Sequence, residues 1–325
     1  MNKYLTDNLF GRDIKKAPTR NGYGEGLLEA GRKNKDVVVL CADLTESTRS
    51  EAFAKEFPER FIEVGVAEQN MAALAAGMAL AGKIPFISSY AAFSPGRNNE
   101  QIRTTIAIND VGVKIGGAHA GVSVGPDGAT HQALEDMALM RVMPNMKVIS
   151  PCDEVEAKKA TIAAVTIPGP VYLRFARAAT PVFTTDKTPF VFGRAEVFVS
   201  GRDGTIVATG PLVYEALLAS RRLAKKGILV EVIYCHTVKP LDEKTIVASA
   251  RKTGCVVTVE EHQVAGGLGG AVAEVLARKL PVPMEFVGMH DRFGESGSPE
   301  ELLAKFGLDA SGIEKAVRKV LKRKL

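Results

Sequence analysis

The sequence predicts an α/β protein of two doubly wound domains, each built on a mostly parallel sheet. Short apolar runs alternate with stretches of helical length along most of the chain, the pattern of crossover units that lay strands parallel. A Pro- and Thr-containing stretch at 178–189 (AATPVFTTDKTP) interrupts the alternation, which then restarts. The length, 325 residues, is also more than one ordinary core accommodates. The expected division is a polar N-terminal arm at 1–17, a first domain at 18–177, a linker at 178–190 and a second, smaller α/β domain at 191–325.

VVVL at 37–40 reads as a buried strand, because four consecutive apolar residues leave no solvent face. Strands follow at 60–64, 85–88, 113–116, 147–150 and 171–175, with helices near 23–32, 67–81, 99–108, 132–140 and 154–165. Past the linker, strands near 195–200, 205–209, 229–233, 255–260 and 284–287 alternate with helices near 212–226, 243–251, 269–278, 299–305 and 312–322. Open parallel sheets bind ligands outside the carboxyl ends of their strands. In the first domain the polar loops CADLTEST, GVAEQ, SSYAAF, GGAHAGVSVGPDGATH and FARA all follow strands, so they are expected on one rim. Glycines this dense are costly unless the backbone must approach something.

Composition narrows the function. Lys and Arg exceed Asp and Glu by five, with both signs mixed until a short KRKL tail. Nucleic-acid surfaces carry a clustered basic stripe, so no such partner is expected. Cys41, Cys152, Cys235 and Cys255 are far apart and form no CxxC pair, which predicts reduced, buried thiols in a cytoplasmic protein and no metal site. The N-terminus lacks the apolar core of a signal peptide, and no apolar run reaches bilayer length, so a soluble protein is expected.

Glu68 opens a helix otherwise built largely from Ala, Leu, Met and Gly. Such a wall has no solvated face, which predicts close packing on all sides. A first-turn Glu suits the helix dipole, and a capping role is one reading. The other is an acid/base group, since a carboxyl sheltered among apolar side chains is expected to have a raised pKa. In the loop at 117–132, His119, Asp127 and His131 suit hydrogen bonds to a polyol or to developing oxyanions, against the alternative of a plain glycine-rich surface loop. Arg20, Ser47, Arg174 and Arg177 lie in or beside rim loops, and paired arginines with a hydroxyl suit phosphate recognition. Tyr90 and Phe93 offer an aromatic face for a flat ring, or a core pair. GYGEG at 22–26 and GGLGG at 266–270 do not open a βαβ unit, and no Walker A motif, nucleophile elbow or HExxH occurs.

Several long motifs in fixed order resemble the transketolase family. They are RFIEVGVAEQNMAALAAGMALAGKIPF, SSYAAF, HAGVSVGPDGATHQALED and MRVMPNMKVISPCDEVEA, followed by VKPLDEKTI, TVEEHQVAGGLGGAV and RFGESGSPEELLAKFGL. The resemblance is to the C-terminal part of that enzyme, its pyrimidine-binding domain followed by its C-terminal domain. It implies thiamine diphosphate as cofactor. Glu68 would face N1′ of the aminopyrimidine and share a proton with it, so that the 4′-amino group can remove the C2 proton of the thiazolium. Phe93 matches the aromatic that stacks on the pyrimidine, Tyr90 lies beside it, and Asp43 matches a cofactor-side position. His119, Asp127 and His131 match contacts to the sugar hydroxyls or reactive oxygens, with His119 and His131 joining Glu68 as catalytic. Arg20, Ser47 and Arg177 match phosphate-binding positions, Arg174 being an alternative.

The sequence departs from the family twice. SPGRNNEQIR at 94–103 is one residue longer than in familiar members and lacks an aromatic. The GDG…N segment that carries Mg²⁺ and the diphosphate is nowhere in the sequence; RDGT at 202–205 and PDGA at 126–129 have no suitable Asn after them. The resemblance therefore implies one subunit of a split transketolase acting on sugar phosphates. An N-terminal transketolase subunit would bring the diphosphate and Mg²⁺ (or Ca²⁺) site, and an α2β2 assembly is expected. The rival readings are the beta subunit of a 2-oxoacid dehydrogenase, a 1-deoxyxylulose-5-phosphate synthase-like enzyme, a non-catalytic stabilising partner and a stand-alone sugar-phosphate-binding module. The Asp127/His131 loop and the arginines favour sugar phosphates, and Glu68 with Phe93 argues against a scaffold.

Overall fold

The structure, a computed structural model, describes residues 4–324. Its larger sheet has seven strands in the spatial order Thr237–Lys239, Lys147–Ile149, Val171–Arg174, Lys114–Ala118, Ile84–Tyr90, Val37–Cys41 and Phe61–Glu63. All neighbours are parallel except Thr237–Lys239, which lies antiparallel at one edge. Every residue of Val37–Cys41 and Val171–Arg174 is buried, because helices cover both faces. Helices Thr19–Lys33, Glu51–Glu56 and Glu154–Ala164 pack on one side through residues such as Leu27, Phe53 and Ala157. Helices Glu68–Leu80 and Asp136–Val142 and the π-helical segment Ile102–Ala107 pack on the other.

The second sheet runs Met284–Met289, Val256–Gln263, Gly204–Ala208, Val230–Tyr234 and Glu196–Val199, parallel apart from the last strand. Helices Val213–Ala224 and Ala310–Leu321 cover one face, Glu243–Thr253 and Leu268–Lys279 the other. Both units are thus doubly wound, the α/β class that the alternation predicts. Side-chain caps begin several helices: Asp153, Asp242 and Asp309 accept from N–H groups three residues on, and Ser298 and Glu301 form a capping box.

Local structure departs from the sequence reading in several places. The helix expected at 99–108 is α-helical only over Asn99–Gln101 and then widens to a π-helix; Thr104 and Thr105 hydroxyls bond back to Glu100 O and Gln101 O, competing with the ladder. The helix expected from 132 starts at Asp136, because the Gln132 side chain is spent on Val122 O, Gly125 O and Glu295 O. Strand Thr237–Lys239 was not expected at all, and it crosses from the second unit to close the first sheet. The described part of the arm is docked: Leu5 and Leu9 are buried against Phe183 and Phe198, and Lys16–Ala17 pairs with Thr180–Pro181. The four cysteines are buried and free. Among the described residues no helix is long and apolar enough to cross a membrane.

Candidate active site

The loops after Val37–Cys41, Ile84–Tyr90, Lys114–Ala118 and Val171–Arg174 open on the same rim, and a line of contacts crosses it. At one end stands Glu68, at the start of helix Glu68–Leu80 and 1 % exposed. Its carboxylate accepts from Arg97 at 2.8 Å and, less closely, from the Ser89 hydroxyl at 3.4 Å, while Asn98 Nδ2 donates to its carbonyl. The Arg97 guanidinium lies 4.7 Å from the Phe93 ring centre. Phe93 and Tyr90 present near-parallel rings 6.0 Å apart, and His131 stands edge-on to both. Tyr90 in turn touches the His119 ring, centroid to centroid 4.2 Å.

His119 links this apolar wall to a cationic end. Its Nε2 is 2.8 Å from Arg20 NH1. A guanidinium only donates, so Nε2 accepts and the proton resides on Nδ1. Nδ1 is buried and has no hydrogen-bond partner among the described residues, a donor of the kind that a bound oxygen would complete. Burial, then the charges of Arg20, Arg177 and Arg49, push the His119 pKa down to about 3, so the ring is neutral at physiological pH. Burial, and next the like charges of Arg49 and Arg177, also lower the Arg20 pKa. Three guanidinium groups therefore repel one another where an anion would relieve them. Arg20 also donates to Ser47 O at 2.9 Å, and Arg177 pairs with Asp127 at 2.9 Å and donates to Val124 O.

The structure thus brings Glu68, Phe93, Tyr90, His131, His119, Arg20 and Ser47 into one chain of contacts, with the Arg177–Asp127 pair near enough for the Arg177 charge to act on His119 and Arg20. Asp43 is not tied into it: its backbone N–H donates to Glu63 Oε1 at 2.7 Å, and its side chain is exposed. Arg174 requires a correction. Its side chain is 4 % exposed and locked onto the Asp136 carboxylate at 2.8 Å, with a further bond to Glu261 O at 2.8 Å. It holds the core together and is no alternative anion contact.

The expectation of packing on all sides of the Glu68 helix also fails in the single chain. Ala73, Leu74, Gly77 and Leu80 form an exposed apolar stripe, with Leu80 at 72 %. Sequence reasoning missed Arg97, Arg49 and Glu261. Arg97 falls in the SPGRNNEQIR stretch that follows Phe93, and Arg49 comes just after Ser47, so both lay close to residues already singled out. Glu261 lay in TVEEHQ with no such neighbour.

Residues 15–182 match the transketolase pyrimidine binding domain and residues 193–313 the transketolase C-terminal domain. A Methanocaldococcus jannaschii protein assigned as a transketolase C-terminal section is 46% identical over 94% of this chain and 96% of its own length. The 6-deoxy-6-sulfo-D-fructose transketolase subunit SqwH of Clostridium sp. (strain MSTE9) is 42% identical over 94% of this chain and 95% of its own. Among solved structures, a split gene transketolase described as an inactive beta4 tetramer superposes with a TM-score of 0.89 at 47% identity, over 95% of this chain and 99% of that one. The two consecutive domains, in this order and over nearly the whole length, make the chain a member of the transketolase family, in the form of its C-terminal section.

Proposed function

We propose that this chain is the C-terminal subunit of a two-chain, thiamine-diphosphate-dependent transketolase, moving a two-carbon ketol unit from a ketose phosphate to an aldose phosphate. The observation that carries the reading is the wall itself: a buried acid, a flat aromatic face, a neutral imidazole with an unused donor and a group of arginines, in that order along one rim. The chain's residues fit the cofactor at the ring end. Glu68 is the buried carboxyl assigned to face a ring nitrogen, and Phe93 with Tyr90 supplies the stacking surface. When bound, thiamine diphosphate would supply the nucleophilic carbon that carries the two-carbon unit.

The remaining residues act on the sugar. His119 Nδ1–H donates to a substrate oxygen, and His131 serves as a second hydrogen-bonding group beside it. Asp127 accepts from a hydroxyl, and Arg20, Arg177 and Ser47 receive the anionic end. The SqwH relative, a transketolase subunit for a sulfonated sugar, accords with a site selective for an anionic terminus. The bare stripe Ala73–Leu74–Gly77–Leu80 and the inactive state of the beta4 relative both support a partner. The proposal assigns the diphosphate and Mg²⁺ (or Ca²⁺) site to that N-terminal subunit, in an α2β2 assembly. A cytoplasmic location accords with the four unpaired thiols.

The test is ketol transfer from xylulose 5-phosphate by the purified chain, alone and with its co-purifying partner. Activity is expected only with the partner and thiamine diphosphate; full activity of the isolated chain would overturn the split assignment. Turnover of pyruvate in place of the ketose phosphate would move the reading to a synthase or a 2-oxoacid dehydrogenase.

A further inference from the structure

Arg97 makes two contacts that belong to the proposed ring site. Its guanidinium donates to Glu68 Oε2 at 2.8 Å and lies 4.7 Å from the Phe93 ring centre. These are the acid and the flat face that the pyrimidine would use, so guanidinium and pyrimidine compete for the same ground. The two partners are held very differently. The Glu68 side chain is 1 % exposed and the Arg97 side chain 46 %, so the carboxylate is fixed and the arginine reaches it from the solvent side.

A buried carboxylate without a counter-charge is costly. Around Glu68, Ser89 donates only at 3.4 Å and Asn98 serves the backbone carbonyl, and among the described residues Arg97 is the cation that pairs with it. Its side chain is partly exposed, which leaves it room to swing away.

We propose that Arg97 is a displaceable counter-ion, a positioning residue that occupies Glu68 and Phe93 in the cofactor-free chain and withdraws when the pyrimidine ring enters. The proposal rests on the transketolase reading for the identity of the ring; the ion pair itself does not. Cofactor binding then includes the breaking of this pair, and the apparent affinity is reduced by the fraction of chains in which the arginine sits on the acid. Loading also leaves the Glu68 carboxyl to the ring alone.

Two measurements decide it. In thermal denaturation of the unloaded full chain, Arg97→Gln lowers the melting temperature, and in the Glu68→Gln background the same change has little further effect. Additive effects of the two substitutions would remove the pairing on which the proposal depends. In the complex with the partner subunit, thiamine diphosphate titrated by fluorescence quenching binds Arg97→Gln about three- to tenfold more tightly than wild type, while Arg97→Lys, which keeps the charge, stays close to wild type. Weaker or unchanged binding by Arg97→Gln, with normal binding by wild type, defeats the displacement and leaves the transketolase reading intact. Failure of the wild-type complex to bind thiamine diphosphate defeats both.

Discussion

Glu261 Oε1 accepts a hydrogen bond from the backbone N–H of Ser123 at 2.5 Å, so the second sheet holds the loop that carries His119, Asp127 and His131. Glu261 lies on strand Val256–Gln263 and is 3 % exposed. Gly121 lets the loop close on it: φ there is 91°, and a Cβ would stand 2.4 Å from the carboxylate oxygen. The adjacent residues do the same for other elements. Glu260 accepts from Leu268 and Gly269 N–H at the start of a helix, and His262 Nε2 accepts from Ala138 N–H in helix Asp136–Val142. The C-terminal unit therefore positions the candidate site as well as adding bulk.

Glu261→Ala leaves the Ser123 N–H buried without an acceptor, which costs about 1–3 kcal/mol of stability. The displaced loop is expected to lower kcat in the assembled enzyme by roughly 10- to 100-fold. Glu261→Gln retains an acceptor oxygen and should stay near wild type in both. Thermal denaturation and steady-state ketol transfer, measured well below the melting temperature, separate the two effects. An Ala variant with reduced stability but full kcat would show that the loop keeps its shape unaided.

Gly77 occupies the middle of a helix, and apart from that helix's own backbone nothing among the described residues lies within 4 Å of where its Cβ would be. Such a glycine costs stability for no reason visible within the chain. Gly77→Ala should stabilise the isolated chain by about 0.5–1 kcal/mol and, if the proposed partner covers Leu74 and Leu80, weaken the assembly, because the added methyl would meet that partner. Denaturation of the single chain and sedimentation of the assembly are the measurements. Gain in stability with unchanged assembly would mean that nothing packs closely there.

Arg174→Met strands the Asp136 carboxylate, which is 1 % exposed and also receives the Tyr172 hydroxyl at 2.7 Å. Loss of one partner of a buried pair costs roughly 3–5 kcal/mol. The variant should melt early yet keep its KM for a phosphorylated ketose, whereas Arg20→Met should raise that KM with little loss of stability. A selective rise in KM for Arg174→Met would return it to the anion site.

What was legible in the sequence depended on how local the signal was. VVVL announces a strand by itself, and loops that follow strands must share a rim, which is why His119, His131, Tyr90 and Phe93 group together from the sequence alone. Glu68 was visible through contrast with the Ala-rich helix behind it. Arg174 was misread because an Arg at a strand end looks like a rim residue, while its partner Asp136 lies on a helix 38 residues earlier. Thr237–Lys239 and Glu261 bond to segments roughly 90 and 140 residues away, and no periodicity encodes a contact of that range. Arg97 sits in an irregular segment whose path depends on the π-helix after it.

Buried titratable groups set opposite slopes on the stability curve. Burial pushes the Glu156 pKa up to about 8 and the Glu260 pKa up to about 7. The unfolded chain ionises these carboxyls near 4.5, so their contribution is whole below that pH and is lost as pH rises toward 7–8. Burial lowers His119 to about 3 and His236 to about 4. Unfolded histidine takes up its proton near 6.5, so these two contribute fully above that pH and lose ground as it falls. Between about 4.5 and 6.5 the two slopes oppose each other, and stability should be nearly flat there, declining on both sides. Glu156 is the cleaner probe, since its Oε2 has no partner among the described residues and Lys159 reaches Oε1 only at 3.4 Å. Glu156→Gln should therefore gain on wild type progressively from pH 5 to 8, by a few kcal/mol at most, and flatten the alkaline limb alone. Urea denaturation across that range reads the difference, and parallel curves for the two proteins would mean that Glu156 keeps its charge inside the fold.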